Sequence, residues 1–288
     1  MTAPQRHSFN YAIAIPASFV SDIPHLREKT FRIGLIGRAA AIFRVDEIII
    51  YPDMPNTDQK ADLKLVQTIL SYMETPQYLR RRLFKLVPEL QYAGTLPPLR
   101  TAHHPTANKI ENLKLGEFRE GVVISTTEEG SLIDVGVEKP ALVHGSRLKT
   151  DSRVTVKITE RGPQLKAVLA DAKAAGIYWG YRVSVSKAPL GQLFETGQFD
   201  LKIATSRRGK PVTAVMDDLR EKWKDSSKTL VAFGASTQGL YEIVNRERRN
   251  LDDEVDYVVN AIPDQATETV RTEEAVFATL SILSILSR

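Results

Sequence analysis

Three short segments concentrate the residue types that can hold or polarise a small polar ligand. They are Thr205-Ser-Arg-Arg-Gly-Lys-Pro211, Gly234-Ala-Ser-Thr-Gln-Gly239 and Asn260-Ala-Ile-Pro-Asp-Gln-Ala-Thr-Glu-Thr269. Each follows an apolar run that reads as a buried strand: Asp200–Ala204, Thr229–Phe233 and Tyr257–Ile262. In open α/β sheets ligands bind beyond the carboxyl ends of strands, so these loops are the natural seat of any chemistry. The common nucleotide motifs fail here. A P-loop needs Gly-x4-Gly-Lys-Ser/Thr, but Ala204 replaces the first glycine and Pro211 the hydroxyl residue that would hold magnesium. A dinucleotide fingerprint needs glycine where Ser236 stands. Kinase and dehydrogenase readings lose their support there.

Composition removes further classes. The chain has no cysteine, which excludes a thiolate nucleophile, a Cys-based zinc site and a covalent Cys–pyrimidine intermediate. His103-His104 has the look of a metal pair, yet no third ligand is evident, so a connector turn is expected and no metal. The third loop runs into Thr267-Glu-Thr-Val-Arg-Thr-Glu-Glu274, where Thr269 or Thr272 can cap a helix with Glu273 and Glu274 in its first turn. Val276, Phe277, Leu280, Leu283 and Leu286 then recur on one side of that helix.

The elements that must position these loops have two grammars. In residues 1–100, Tyr11–Ile15 and Asp46–Tyr51 read as strands, and 25–43 and 61–73 as helices. Gly34 and Gly37 on the first helix would admit a second backbone. Pro76 suits the start of a further short helix. This βαβα order implies an α/β fold with a parallel sheet. Between about 116 and 169 the period drops to two. Gly121–Ile124, Ser131–Val135, Ala141–His144 and Arg153–Ile158 read as short strands of a small all-β barrel. The expected organisation is therefore an α/β domain built from 1–100 and 176–288, with a barrel inserted at 101–175.

The 288 residues carry 39 Lys and Arg against 35 Asp and Glu, a net charge of +4. So small a surplus means little unless it is clustered, and it is. Arg80-Arg81-Arg82, Arg207-Arg208 and the barrel residues Arg119, Arg147, Lys149 and Arg153 form basic groups, which suits RNA. Phe118 is the barrel's only aromatic, so backbone-led binding is expected rather than base stacking. The polar N-terminus lacks a signal peptide's apolar core, and the most apolar stretch, Ala275–Leu286, falls short of the roughly 20 residues that span a bilayer. A cytoplasmic protein with no membrane partner is expected.

Phe233-Gly-Ala-Ser-Thr-Gln-Gly-Leu-Tyr-Glu242 and Asn260-x-Ile-Pro-Asp-Gln-Ala-Thr-Glu-Thr-Val-Arg-Thr-Glu-Glu-Ala275 resemble the SPOUT superfamily of S-adenosylmethionine-dependent RNA methyltransferases. More narrowly the chain resembles its archaeal and eukaryotic branch with an inserted barrel, which includes a human centromere-associated member. The likeness extends through Ile15-Pro16, Gly37-Arg38-Ala39, Val45–Ile48, Pro76–Leu79 and Leu90–Gly94. It departs at Ala235-Ser236-Thr237 and Gln265-Ala266-Thr267, where relatives commonly have Ser-Pro-Thr and Gln-Gly-Thr.

The resemblance implies a deep trefoil knot in the C-terminal segment, a homodimer, and S-adenosylmethionine as methyl donor. It assigns the donor to Thr205, Gly234, Gly239, Asn260, Ile262, Pro263, Gln265, Thr269, Val270 and Thr272. Arg38 resembles the arginine that many such enzymes bring from a helix to the acceptor nucleotide; its alternative is a surface helix arginine. Glu268 is the candidate proton acceptor; its alternative is an ordinary loop carboxylate. The barrel resembles the S1/OB type. The expected activity is direct methyl transfer to RNA, with ribosomal RNA and a base nitrogen such as uridine N3 as the family's suggestion. The alternatives are a non-catalytic RNA-binding or ribosome-assembly protein that keeps the knot, and a methyltransferase for a protein or small molecule.

Overall fold

A computed structural model describes residues 4–286, Arg6 and Ser8 excepted. Along the chain run β1 (Asn10–Pro16), α1 (Leu26–Ile42), β2 (Glu47–Tyr51), α2 (Lys60–Glu74) and α3 (Gln77–Leu83). Five strands follow: β3 (Phe118–Thr126), β4 (Gly130–Asp134), β5 (Ala141–His144), β6 (Arg153–Glu160) and β7 (Leu165–Leu169). Then come β8 (Arg182–Val185), α4 (Leu190–Glu195), β9 (Leu201–Pro211), α5 (Val212–Asp225) and β10 (Lys228–Ala232). The chain finishes with α6 (Leu240–Arg246), α7 (Leu251–Glu254), β11 (Tyr257–Asn260) and α8 (Thr272–Leu286). These elements divide between two compact units.

The larger unit, residues 7–73, 88–98 and 181–286, is built on a six-stranded parallel sheet in the order β11-β9-β10-β1-β2-β8. Strands covered on both faces must be apolar throughout, which is why β1 is buried from Tyr11 to Pro16. Ile13 in β1 lies between Val231 of β10 and Ile48 of β2. On one face Ala12, Ala14, Ile49, Tyr51, Leu230 and Ala232 pack against Leu193, Phe194, Leu240 and Val244. Strand β8 was not expected: Arg182-Val-Ser-Val reads as half polar because it is an edge strand, paired among the described residues to β2 alone. The expected close approach at Gly34 is made by side chains rather than backbone. A Cβ there would lie 2.8 Å from Leu96 Cδ2 and 3.0 Å from Pro97 Cδ.

Strand β9 also corrects an expectation. It does not end at Ala204 but continues to Pro211. Its pairing with β11 runs Ala204–Val258 and then jumps to Lys210–Val259, so residues 205–209 leave the ladder between two paired stretches. Helix α8 starts at Thr272, which lies inside the helix rather than at its cap; the Arg271 N–H there donates to the Glu274 carboxylate at 2.9 Å. No helix among the described residues is long and apolar enough to cross a membrane.

The second unit contains residues 74–87 and 99–180. Its five strands close into a barrel in the order β3-β4-β5-β7-β6, with β3 and β6 pairing to complete it. All pairs are antiparallel except β5 with β7. Alternate residues point inward, so Val123, Ile133, Val143, Val156, Ile158 and Leu165 meet in one core. The period-two reading foresaw four strands; β7 is the fifth and closes the gap between β5 and β6. Beside the barrel, Glu74 is buried between Arg153, at 2.6 Å, and His103, at 3.0 Å. Burial alone would raise this carboxyl, but hydrogen bonds from His103 and Arg153 outweigh it and hold Glu74 at about 2.

Candidate active site

Strands β10, β9 and β11 are neighbours, so the segments that follow them converge at one edge of the sheet. They enclose a cleft of about 640 Å³. The excursion from β9 contributes Thr205, Ser206, Arg207 and Arg208. The loop after β10 contributes Gly234 to Gly239, and the segment after β11 contributes Asn260, Ile262, Gln265, Glu268, Thr269 and Val270. Thr272 and Thr279 of α8 complete the lining.

Side chains tie the three segments to one another. Thr205 Oγ1 donates to the Ala232 carbonyl at 3.0 Å, joining β9 to β10. Asn260 works in two directions. Its Nδ2 donates to the Arg207 carbonyl at 3.1 Å, and its Oδ1 accepts the Ile262 N–H at 3.0 Å in an Asx-type turn. Arg207 Nη1 donates back to the Glu268 carbonyl at 3.1 Å, and Gln265 Nε2 donates to the Thr267 carbonyl at 2.9 Å. Thr272 Oγ1 donates to the Gly234 carbonyl at 2.9 Å. Asp264 sits at φ 60°, a conformation that costs a non-glycine residue about 1–3 kcal/mol and is typical of functional loops.

The loop after β10 folds tightly on itself. A Cβ at Gly234 would lie 3.0 Å from the Gln238 carbonyl oxygen and 3.1 Å from the Leu240 nitrogen, both backbone atoms that cannot swing away. A side chain at this position would therefore require the loop backbone to give by a few tenths of an ångström. Behind the cleft, Glu273 of α8 is buried and lies 3.6 Å from Arg32 of α1; burial pushes its carboxyl above the usual range. The Thr279 hydroxyl, also buried, has no hydrogen-bond partner among the described residues.

Of the residues expected at a donor site, Thr205, Gly234, Gly239, Asn260, Ile262, Gln265, Thr269, Val270 and Thr272 all line this one cleft. Pro263 is exposed and stands outside the lining. Glu268 lines the cleft and is exposed. Arg38 does not reach it: the side chain is half-buried on α1, and its Nη1 donates to the Pro98 carbonyl at 2.7 Å.

The basic residues separate by burial. Arg147, Lys149, Arg81, Arg82, Arg207 and Arg208 are exposed, while Arg80 is half-buried with its Nε donating to the Thr75 carbonyl at 2.8 Å. Arg119 is fully buried and bonds Glu117 and the Ala107 carbonyl. It shares the inward register of Val123, which a period-two pattern cannot distinguish from the outward one. Arg153 is spent on Glu74 and Glu120. Sequence reasoning missed Tyr241 and Glu242. Glu242 lines the cleft, and its only signal was a place three residues after Gly239.

Among the described residues no group of three or more His, Asp or Glu is placed to hold a metal ion. What the cleft offers instead is hydroxyls, backbone groups and one arginine–carboxylate contact, Arg208 with Glu242, a setting for a polar organic ligand beside an acidic or planar partner.

The chain is 33% identical to an uncharacterised protein of Halobacterium salinarum, over 95% of this chain and 98% of that one. It is 32% identical to the 28S rRNA (uridine-N(3))-methyltransferases of Mus musculus and Homo sapiens. Those matches cover 97% and 96% of this chain and 77% and 78% of the relatives. Residues 10–283 match the family described as "Putative RNA methyltransferase". Because that match runs from the first strand of the sheet through the barrel and into α8, the chain belongs to this RNA methyltransferase family and is an enzyme of methyl transfer.

Proposed function

We propose that the protein is an S-adenosylmethionine-dependent methyltransferase of the knotted SPOUT type, acting in the cytoplasm on N3 of a uridine in ribosomal RNA. The observation that carries this reading is the single cleft in which nine of the residues expected around a methyl donor meet. The relatives named as 28S rRNA (uridine-N(3))-methyltransferases support the substrate. In this reading 1–100 and 176–288 form the knotted catalytic domain, and the 101–175 insert is an OB-like barrel.

The cleft fits the donor on three counts. It is of the size that encloses a cofactor. The Gly234–Gly239 turn packs closely on itself at Gly234, and with Ser236, Thr237 and Gln238 it brings small and polar groups to the lining. The buried, unpaired Thr279 hydroxyl gives an inner polar group that awaits a partner. Thr205, Gly234, Gly239, Asn260, Ile262, Gln265, Thr269, Val270 and Thr272 would hold the donor, which supplies an electrophilic methyl group. Pro263 is left to shape the turn. Exposed Arg147, Lys149, Arg81 and Arg82 would meet RNA phosphates.

Uridine N3 carries a proton, so the protein must remove it and stabilise the charge that forms. Glu268, exposed in the lining, takes the proton in this reading. Arg38 lies outside the cleft of its own protomer, so a role at the acceptor nucleotide requires a second protomer. Phe31 and Ile42 on α1 and Ile285 on α8 are exposed, which supports a homodimer through those helices.

Two measurements test the proposal. Calorimetry with S-adenosylmethionine should give a saturable heat that Gly234→Ala weakens. Incubation with RNA from a strain lacking the gene should yield N3-methyluridine by mass spectrometry. Absence of donor binding, or methylation only at another atom, overturns the proposed activity or its substrate respectively.

A further inference from the structure

The excursion from β9 interrupts the ladder to carry two arginines to the rim of the cleft. Bulges of this kind re-aim side chains beside functional sites. The two are used differently. Arg207 is tied to the segment after β11 through its contacts with Glu268 and Asn260. The Arg208 side chain instead reaches the start of α6. Its guanidinium carbon lies 4.4 Å from the centre of the Tyr241 ring, and its Nη2 donates to Glu242 Oε1 at 2.8 Å. Its backbone N–H is fixed by Ser206 Oγ at 3.1 Å, and the Tyr241 hydroxyl in turn donates to Asp252 at 2.9 Å. The side chain is nonetheless 55% exposed.

An ordinary surface ion pair is mobile and contributes little. Here a planar cation is held on one face by an aromatic ring and on one edge by a carboxylate. Its remaining edge and face are left open at the lip of the cleft. That is a preorganised donor for a flat group with adjacent carbonyl oxygens.

We propose that Arg208 is the residue that receives the acceptor base and polarises it: its guanidinium donates hydrogen bonds to a carbonyl oxygen beside the reacting imide nitrogen of uracil. This rests on the uridine-N3 reading above and adds what that reading lacks, a fixed positive charge for the anion. N3 gives its proton to the Glu268 carboxylate. The pair left on N3 forms the bond to the methyl carbon, and the pair of the broken sulfur–methyl bond stays on sulfur as a neutral thioether. The negative charge that N3 shares with its neighbouring carbonyl oxygens during this step lies against Arg208, as in an oxyanion hole. Placed against O4, where cytosine carries an exocyclic amino group instead of an oxygen, the same donor also selects uracil.

The test uses the full-length protein with Arg208→Gln, Arg208→Lys and Glu242→Gln. Donor affinity by calorimetry should stay within about twofold of wild type for Arg208→Gln, which also reports an intact fold. Its kcat on RNA should fall by about 100-fold, as for loss of one oxyanion donor. The pH at which kcat levels off should move up by at least about one unit, because an opposite charge within reach lowers an acid's pKa by one to three. Arg208→Lys should recover less than a tenth of the activity, since it keeps the charge but loses the planar stack. Glu242→Gln should fall between them. A wild-type-like pH profile in Arg208→Gln, or a loss that saturating donor restores, would overturn the assignment. If wild type made no N3-methyluridine at all, the substrate reading would fail first and take this assignment with it.

Discussion

The Thr272 hydroxyl donates a 2.9 Å hydrogen bond to the carbonyl of Gly234, so the first turn of α8 is fastened to the loop after β10. Thr272 is 2% exposed, and the bond crosses 38 residues of chain. It sets the α8 wall of the cleft against the wall formed by the loop after β10.

Thr272→Val keeps the shape of the side chain and removes the donor. The Gly234 carbonyl then loses its partner in a buried setting, at about 1–3 kcal/mol. We expect a lower unfolding midpoint in denaturant and S-adenosylmethionine affinity reduced several-fold. Thr272→Ser should restore most of both. If Val matched wild type in both measurements, the wall would be held by something else.

Crowding at Gly234 gives a sharper contrast. Gly234→Ala forces a Cβ against two backbone atoms, so the loop must move. Donor affinity should drop at least tenfold while the thermal midpoint changes little. Gly162→Ala, where an added Cβ meets nothing, serves as the control and should leave both unchanged.

Acid stability of the barrel unit follows from two buried groups. Burial and the neighbouring His103 lower His104 to about 4, below its ordinary 6.5. Glu74 is held at about 2 against an ordinary 4.5. Both folded values lie below the unfolded ones, so each contribution is complete above the unfolded pKa and is lost as pH falls toward the folded one. His104 acts between about 6.5 and 4, and Glu74 between about 4.5 and 2. Denaturation followed across pH should therefore show stability declining from just above pH 6. His104→Gln should flatten the upper part of that decline. Glu74→Gln should flatten the lower part and cost about 3 kcal/mol at neutral pH, because Arg153 and His103 lose a buried partner.

Burial also separates the barrel's cations in a salt titration. Arg147→Ala and Lys149→Ala, both exposed, should each reduce the slope of log affinity for single-stranded RNA against log salt by about 0.7. Arg119→Ala should leave that slope unchanged and lower stability instead, because its guanidinium bonds Glu117 and the Ala107 carbonyl inside the unit. Equal slopes for all three variants would contradict this division.

The sequence by itself determined the two grammars of the chain and the three segments that carry the cleft. Continuous apolar runs such as Tyr11–Ile15 announce strands covered on both faces, and alternation announces a barrel wall; both are local properties of the chain. Only the tertiary structure decided which side chains those elements bring together. Nothing local says that Arg119 of β3 is buried, because shifting a strand by one residue exchanges its faces, whereas Arg147, in the loop after β5, is exposed. Nor could it say that Arg38 would turn to the Pro98 carbonyl, that β9 would resume pairing at Lys210, or that Arg208 would stack on Tyr241. Each of these joins residues tens of positions apart, and such contacts exist only once the sheet order has set the strand ends side by side.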